Sequence, residues 1–139
     1  MTESFLGIVP DTLMETLGIE VTEVSPERVV ATMPVTPRVH QPFGILHGGA
    51  SVALAETVAS IGAIVNIDAE RQNAVGLEIN ANHVRAKRTG KLTAVATPVH
   101  LGRSTQVWQI ELRDESARLI CISRCTLAIV DRRKRRPQT

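Results

Sequence analysis

The chain has 139 residues, 43% of them hydrophobic, which suits one domain with a real core and does not suit two. No uninterrupted run of about 18 apolar residues occurs, so no membrane span is expected, and the opening MTESFLGIVP lacks the basic stretch of a secretory leader. The formal net charge of +2 rests on five positive charges at residues 132–136, a tail that could touch nucleic acid or an anionic membrane or simply be solvated, and with aromatic residues at 2% there is no base-stacking platform for nucleic acid.

In chain order, residues 11–17 read as a short helix, with Pro10 and Asp11 at its start and Gly18 at its end. Residues 19–24 and 29–35 read as two strands joined by a turn at Ser25-Pro26, and Val29, Ala31, Met33 and Val35 alternate along the second. Pro34, Pro37 and Pro42 then break the chain into an irregular segment. Residues 48–65 form the one long helix; its side chains are small or apolar almost all round, so it should be buried. Four strands follow, at residues 75–85, 92–101, 105–113 and 119–130, with turns at Thr89-Gly90 and Asp114-Glu115-Ser116. The first should place Val75, Leu77, Ile79, Ala81 and His83 on one face. Short links between the four favour an antiparallel meander. The expected class is α+β: a curved antiparallel sheet wrapped around one central helix. Residues 1–131 make the domain, and residues 132–139 a disordered basic tail. Without the five positive charges of residues 132–136, 11 Lys+Arg face 14 Asp+Glu, so the domain itself carries −3.

Cys121 and Cys125 are the only cysteines. Four apart in an alternating run, they share one face of a strand and read as free core thiols, as expected in the cytoplasm. No His/Cys cluster has metal-ligand spacing, so no metal is expected.

Residues 41–60, QPFGILHGGASVALAETVAS, concentrate the chemistry. A Gly-rich turn runs straight into a helix, and a helix start offers free N–H groups and partial positive charge to an oxygen that becomes negative. Glu56 is the lone carboxylate on that helix, and such a group is costly unless it has a task or a partner. An arginine-paired structural carboxylate is the plain alternative. Glu56 lies eight residues beyond Gly48, roughly 12 Å along the axis. That gap is long for one helix and suggests a site assembled from two.

HGGASVALAE, followed by GLEINANHVR and HLGRSTQVWQIE, resembles the hot-dog-fold acyl-CoA thioesterases over about residues 10–130. The resemblance is to the phenylacetate-type branch that includes 4-hydroxybenzoyl-CoA thioesterases. Within it, the chain looks most like 1,4-dihydroxy-2-naphthoyl-CoA hydrolases and enterobactin-pathway proofreading thioesterases. The resemblance implies hydrolysis of aryl- or other bulky acyl-CoA esters, with no cofactor beyond the CoA of the substrate. It leaves open release of mischarged acyl groups from an aryl carrier protein, or acyl-CoA binding without catalysis. It also implies residue roles. Glu56 matches the carboxylate that acts as nucleophile or general base, and Gly48 the glycine whose N–H polarises the thioester carbonyl. His47 matches the histidine beside the thioester, Gln41 the orienting glutamine, and Ser60 the hydroxyl four residues after the carboxylate. In the family these groups meet across a homodimer interface, in dimers or dimers of dimers, which fits the axial gap. No nucleic-acid or membrane partner is implied.

The chemistry agrees with that transfer. A thioester has weak resonance stabilisation and a good leaving group, so it needs a held oxyanion and a positioned attacker more than acid assistance. Phe43, Ile61 and His83 are expected to line the acyl pocket, although His83 could equally be a satisfied core histidine. Arg85, Lys87 and Arg88, with Arg103 and Ser104 in the next turn, could hold CoA phosphates or simply be a solvated basic turn.

Overall fold

The computed structural model describes residues 2–133. Residues 134–139, and with them most of the expected tail, lie outside the described residues. A 3-10 turn (Thr2–Phe5) and a short helix α1 (Leu13–Leu17) precede a hairpin of β1 (Glu20–Ser25) and β2 (Arg28–Pro34). After a second 3-10 turn (Pro37–Val39) comes α2 (Gly48–Val65), then β3 (Gln72–His83), β4 (Lys91–Leu101), β5 (Thr105–Arg113) and β6 (Leu119–Asp131). The strands form one antiparallel sheet in the order β1-β2-β4-β5-β6-β3. It curves around α2, the hot-dog arrangement that the sequence resemblance implied.

The simple four-strand meander is corrected. Only β4, β5 and β6 follow one another in space; β3 crosses to the far edge and pairs with β6 alone. That crossover leaves α2 packed across the concave face and β3 as a twelve-residue edge strand.

The single shared face expected for β3 is also corrected. A bulge between Gly76 and Glu78 inserts one residue and reverses the alternation. Opposite the buried residues of β6 stand Gly76 before the bulge and Ile79, Ala81 and His83 after it, against Leu127, Cys125, Ser123 and Cys121. Val75 and Leu77 are exposed.

By length and mean hydropathy alone α2 would pass for a membrane span, although Glu56 interrupts its apolar run. Instead it touches all six strands. Its small residues allow this approach: a Cβ on Gly62 would stand 2.6–2.8 Å from the ring of Trp108. Trp108 is fully buried and donates its indole N–H to Gln106 Oε1 at 2.9 Å, so the ring is fixed from both sides. Leu54, Val58, Met33, Ile110 and Leu127 complete the core between helix and sheet. Asn66 caps the helix end and donates to the carbonyls of Gly62 (2.8 Å) and Pro26 (2.9 Å), tying α2 to the β1–β2 turn.

Candidate active site

The start of α2 is shaped by the loop before it. Gln41 N–H donates to Ile45 O at 2.8 Å, Gly44 N–H donates back to Gln41 O at 3.0 Å, and Gly44 takes φ +78, a conformation that favours glycine. The Gln41 side-chain oxygen accepts from Phe43 N–H. Two bonds dock this loop on the β3–β4 connection: Leu46 N–H to Lys87 O (2.7 Å) and His40 Nε2 to Arg88 O (2.7 Å).

His47 is the N-cap. Its Nδ1 accepts from Gly49 N–H at 2.7 Å, which puts the neutral ring's proton on Nε2. Ala50 and Ser51 donate their N–H groups to His47 O. Gly48 N–H therefore remains as the free donor of the first turn, with no partner among the described residues. The His83 ring lies over it; a Cβ on Gly48 would stand 2.8 Å from His83 Nε2. A cavity of about 390 Å³ opens here, lined by Gln41, Gly48, Ser51, His83 and Arg85 among others. His83 thus belongs to the helix-start cavity, not to a satisfied core position.

Glu56 points elsewhere. It is half-buried on another face of α2 and makes no ion pair or hydrogen bond with any described residue, so no described arginine of the same chain pairs with it. Its carboxylate lies against Gly76, where a Cβ would stand 2.7 Å from Glu56 Oε1. Burial pushes the Cys125 thiol up to about 11, helped by the negative charges of Glu56 and Glu78. Both cysteines are free and buried, as expected.

Glu56 and Ser60 line a second, apolar cavity of about 640 Å³. One wall includes Ile61; the other is the N-terminal segment, through Phe5, Val9, Leu13 and Met14. Phe43 is 85% exposed at its loop tip and lines neither cavity, so within one chain Phe43, Ile61 and His83 do not share a pocket.

The basic group is also divided. Lys87 is buried and gives its ammonium to Glu115, with Nζ at 2.8 and 3.0 Å from the two carboxylate oxygens; it is a structural cation rather than a free phosphate ligand. Arg85 and Arg88 are exposed near the start of β4, while Arg103 and Ser104 sit in the turn beyond its end. Those eleven residues of strand put roughly 33 Å between the two groups. One chain therefore separates the helix-start donor from the carboxylate, and one basic cluster from the other.

Sequence reading missed four features. The N-terminal wall has only an apolar pattern to announce it. Gly76 interrupts a strand, a sign of close approach. Ser51 is a polar residue one turn inside a buried helix. Glu115 lies in a turn, and nothing local marks it as the partner of Lys87.

The family model described as "Thioesterase superfamily" matches residues 43–121. The 1,4-dihydroxy-2-naphthoyl-CoA hydrolase of Listeria monocytogenes is 52% identical over 122 residues, 88% of this chain and 98% of that protein. The crystal structure of a Haemophilus influenzae thioesterase superposes with a TM-score of 0.85 at 48% identity, covering 91% of this chain and 87% of that one. A Staphylococcus aureus thioesterase solved with a glutamine replaced by alanine gives 0.82 at 44% identity, covering 84% and 97%. The same protein was also solved with a glutamate replaced by alanine, and the two replaced positions lie 15 apart, as Gln41 and Glu56 do.

Proposed function

We propose, for a chain that belongs to the thioesterase superfamily and is an acyl-CoA thioesterase, that its substrates carry aryl or other bulky acyl groups, 1,4-dihydroxy-2-naphthoyl-CoA among them. The observation that carries the reading is the apolar cavity of about 640 Å³ with Glu56 on its wall. That volume lies within the range of sites for drug-sized ligands and far exceeds what an acetyl group fills. The named activity of the Listeria relative supports the aryl assignment.

The site is shared between two copies of the chain. β3 is an edge strand with free backbone groups, the element that most readily pairs with a second copy. Gly76 adjoins Glu56, and His83 adjoins Gly48. Antiparallel β3–β3 pairing about a two-fold axis at Asn80 sets Ile79 opposite the partner's Ala81 and, with Leu77 taken up by the bulge, Gly76 opposite the partner's His83. Glu56 then faces the partner's Gly48, and the axial gap closes. The thioester carbonyl accepts from Gly48 N–H, beside His47 and Gln41. Glu56 attacks it directly or draws a proton from water, with Ser60 one turn along in the same cavity. The C–S bond breaks and CoA leaves as its thiolate; the acid is then free where water was the attacker, and where Glu56 was, water cleaves the anhydride left on Glu56 to release the acid and restore the carboxylate. Hydrolysis consumes only water, so no cofactor is proposed. Arg85, Arg88, Arg103 and Ser104 are the remaining groups for the CoA phosphates. The two unpaired cysteines support a reducing compartment, the cytoplasm.

The test is thiol release from aryl-CoA esters, acetyl-CoA and an aryl carrier-protein thioester, with wild type and Glu56→Ala. The expected result is highest kcat/KM on aryl-CoA, and a loss of several orders of magnitude in Glu56→Ala with the fold intact. Higher kcat/KM on acetyl-CoA, or on the carrier-protein thioester, would refute the substrate assignment.

A further inference from the structure

Ser51 is the most enclosed polar group near the helix start, at 1% exposure, and no described residue satisfies its hydroxyl. A serine or threonine inside a helix ordinarily bonds the carbonyl four residues back. Thr57 does so, donating to Ala53 O at 2.7 Å. Ser51 makes no such bond to His47 O, which instead takes the backbone N–H groups of Ala50 and Ser51. No side-chain oxygen or nitrogen among the described residues is both fully enclosed and without a partner. The little surface Ser51 keeps is therefore at its oxygen, and it opens into the 390 Å³ cavity shared with Gly48, Gln41 and His83.

Leaving a hydroxyl desolvated and unpaired costs stability, and serine is a weaker helix former than alanine. Nothing structural offsets either cost here. Helical side chains lean toward the N-terminus, so the residue three positions on covers the turn beneath it. That places Ser51 Oγ on the side of Gly48 whose N–H is also free.

We propose that Ser51 is a further catalytic residue: its hydroxyl is a second hydrogen-bond donor, beside Gly48 N–H, to the thioester oxygen held at the start of α2. This rests on the reading of Gly48 as the carbonyl-holding end. Two converging donors hold an oxygen in one orientation, and a donor set before the reaction strengthens as negative charge develops on that oxygen.

The experiment compares wild type, Ser51→Ala, Ser51→Cys and Glu56→Ala, measuring kcat and KM on an aryl-CoA ester and the melting temperature of each. Cysteine keeps the volume and weakens the donor. Ser51→Ala should lose about 10²-fold in kcat, the lower end of what removing one oxyanion donor costs, with KM little changed and the melting temperature equal or higher. Ser51→Cys should be nearly as impaired. Full activity in Ser51→Ala, recovery in Ser51→Cys, or a loss that follows a lowered melting temperature would overturn the role of Ser51. A wild-type rate in Glu56→Ala beside a loss in Ser51→Ala would instead overturn the attack assigned to Glu56 and leave the hydroxyl's role standing.

Discussion

Gly76→Ala separates the chemistry of the site from its scaffold. Gly76 has no positive φ, so alanine is compatible with its backbone. What the missing Cβ leaves room for is a carboxylate: the added carbon would stand 2.7 Å from Glu56 Oε1 and 3.9 Å from Glu56 Cδ. Ordinary contact begins near 3.4 Å, so the oxygen must retreat by roughly 0.7 Å. Glu56 is half-buried, ends in a flexible carboxylate and has no ion pair among the described residues to break, so it can yield at little cost to the fold. Folding stability should change by less than about 1 kcal/mol. Catalysis should respond more, because a misplacement of about 1 Å in a reacting group can cost about 10²-fold. The expected loss in kcat is therefore about 10- to 100-fold, read by thiol release from an aryl-CoA ester beside a urea unfolding curve. In a Glu56→Ala background the same change should cost nothing more, since the group it displaces is gone. Unchanged kcat in Gly76→Ala, or an equal further loss in the double variant, would refute the link between Gly76 and the attacking carboxylate.

Three other expectations follow from the packing. Glu115 holds its carboxyl down at about 2 against an ordinary 4.5, chiefly through the Lys87 ammonium and then the Lys91 N–H. The folded state then binds fewer protons than the unfolded chain in that window, so this contribution is full above about pH 4.5 and is lost as pH falls toward 2. Glu115→Gln should lower the melting temperature at pH 7, because it leaves Lys87 buried without its counter-charge, and should flatten the decline between pH 4.5 and 2; an unchanged acid limb would contradict this. Gly62→Ala drives a methyl into a Trp108 ring that cannot retreat and should cost about 1–3 kcal/mol, read by the fluorescence of the single tryptophan during denaturation. Mixing Glu56→Ala with a Gln41→Ala variant should restore part of the activity, because one of the two shared sites in a mixed dimer is intact; no recovery after verified subunit exchange would place both groups in one chain.

Local patterning determined a great deal here. Alternation in residues 29–35 and 105–113, and the all-round apolar character of residues 48–65, are properties of neighbouring residues, and β2, β5 and α2 follow them closely. The run from Gly48 to Ser60 was legible as a free helix start followed by a carboxylate for the same reason. Which strand pairs with which is not a local property. Between β2 and β3 the chain passes β4, β5 and β6, and only that crossover makes β3 an edge strand, as the proposed shared site requires. The bulge after Gly76 depends on register against β6, and it alone turns Val75 and Leu77 outward while keeping Gly76 against Glu56 and His83 over Gly48. Lys87 and Arg88 are adjacent and look alike as sequence. The fold buries one against Glu115, 28 residues away, and leaves the other exposed, because the surroundings of a charge are set by what is folded over it.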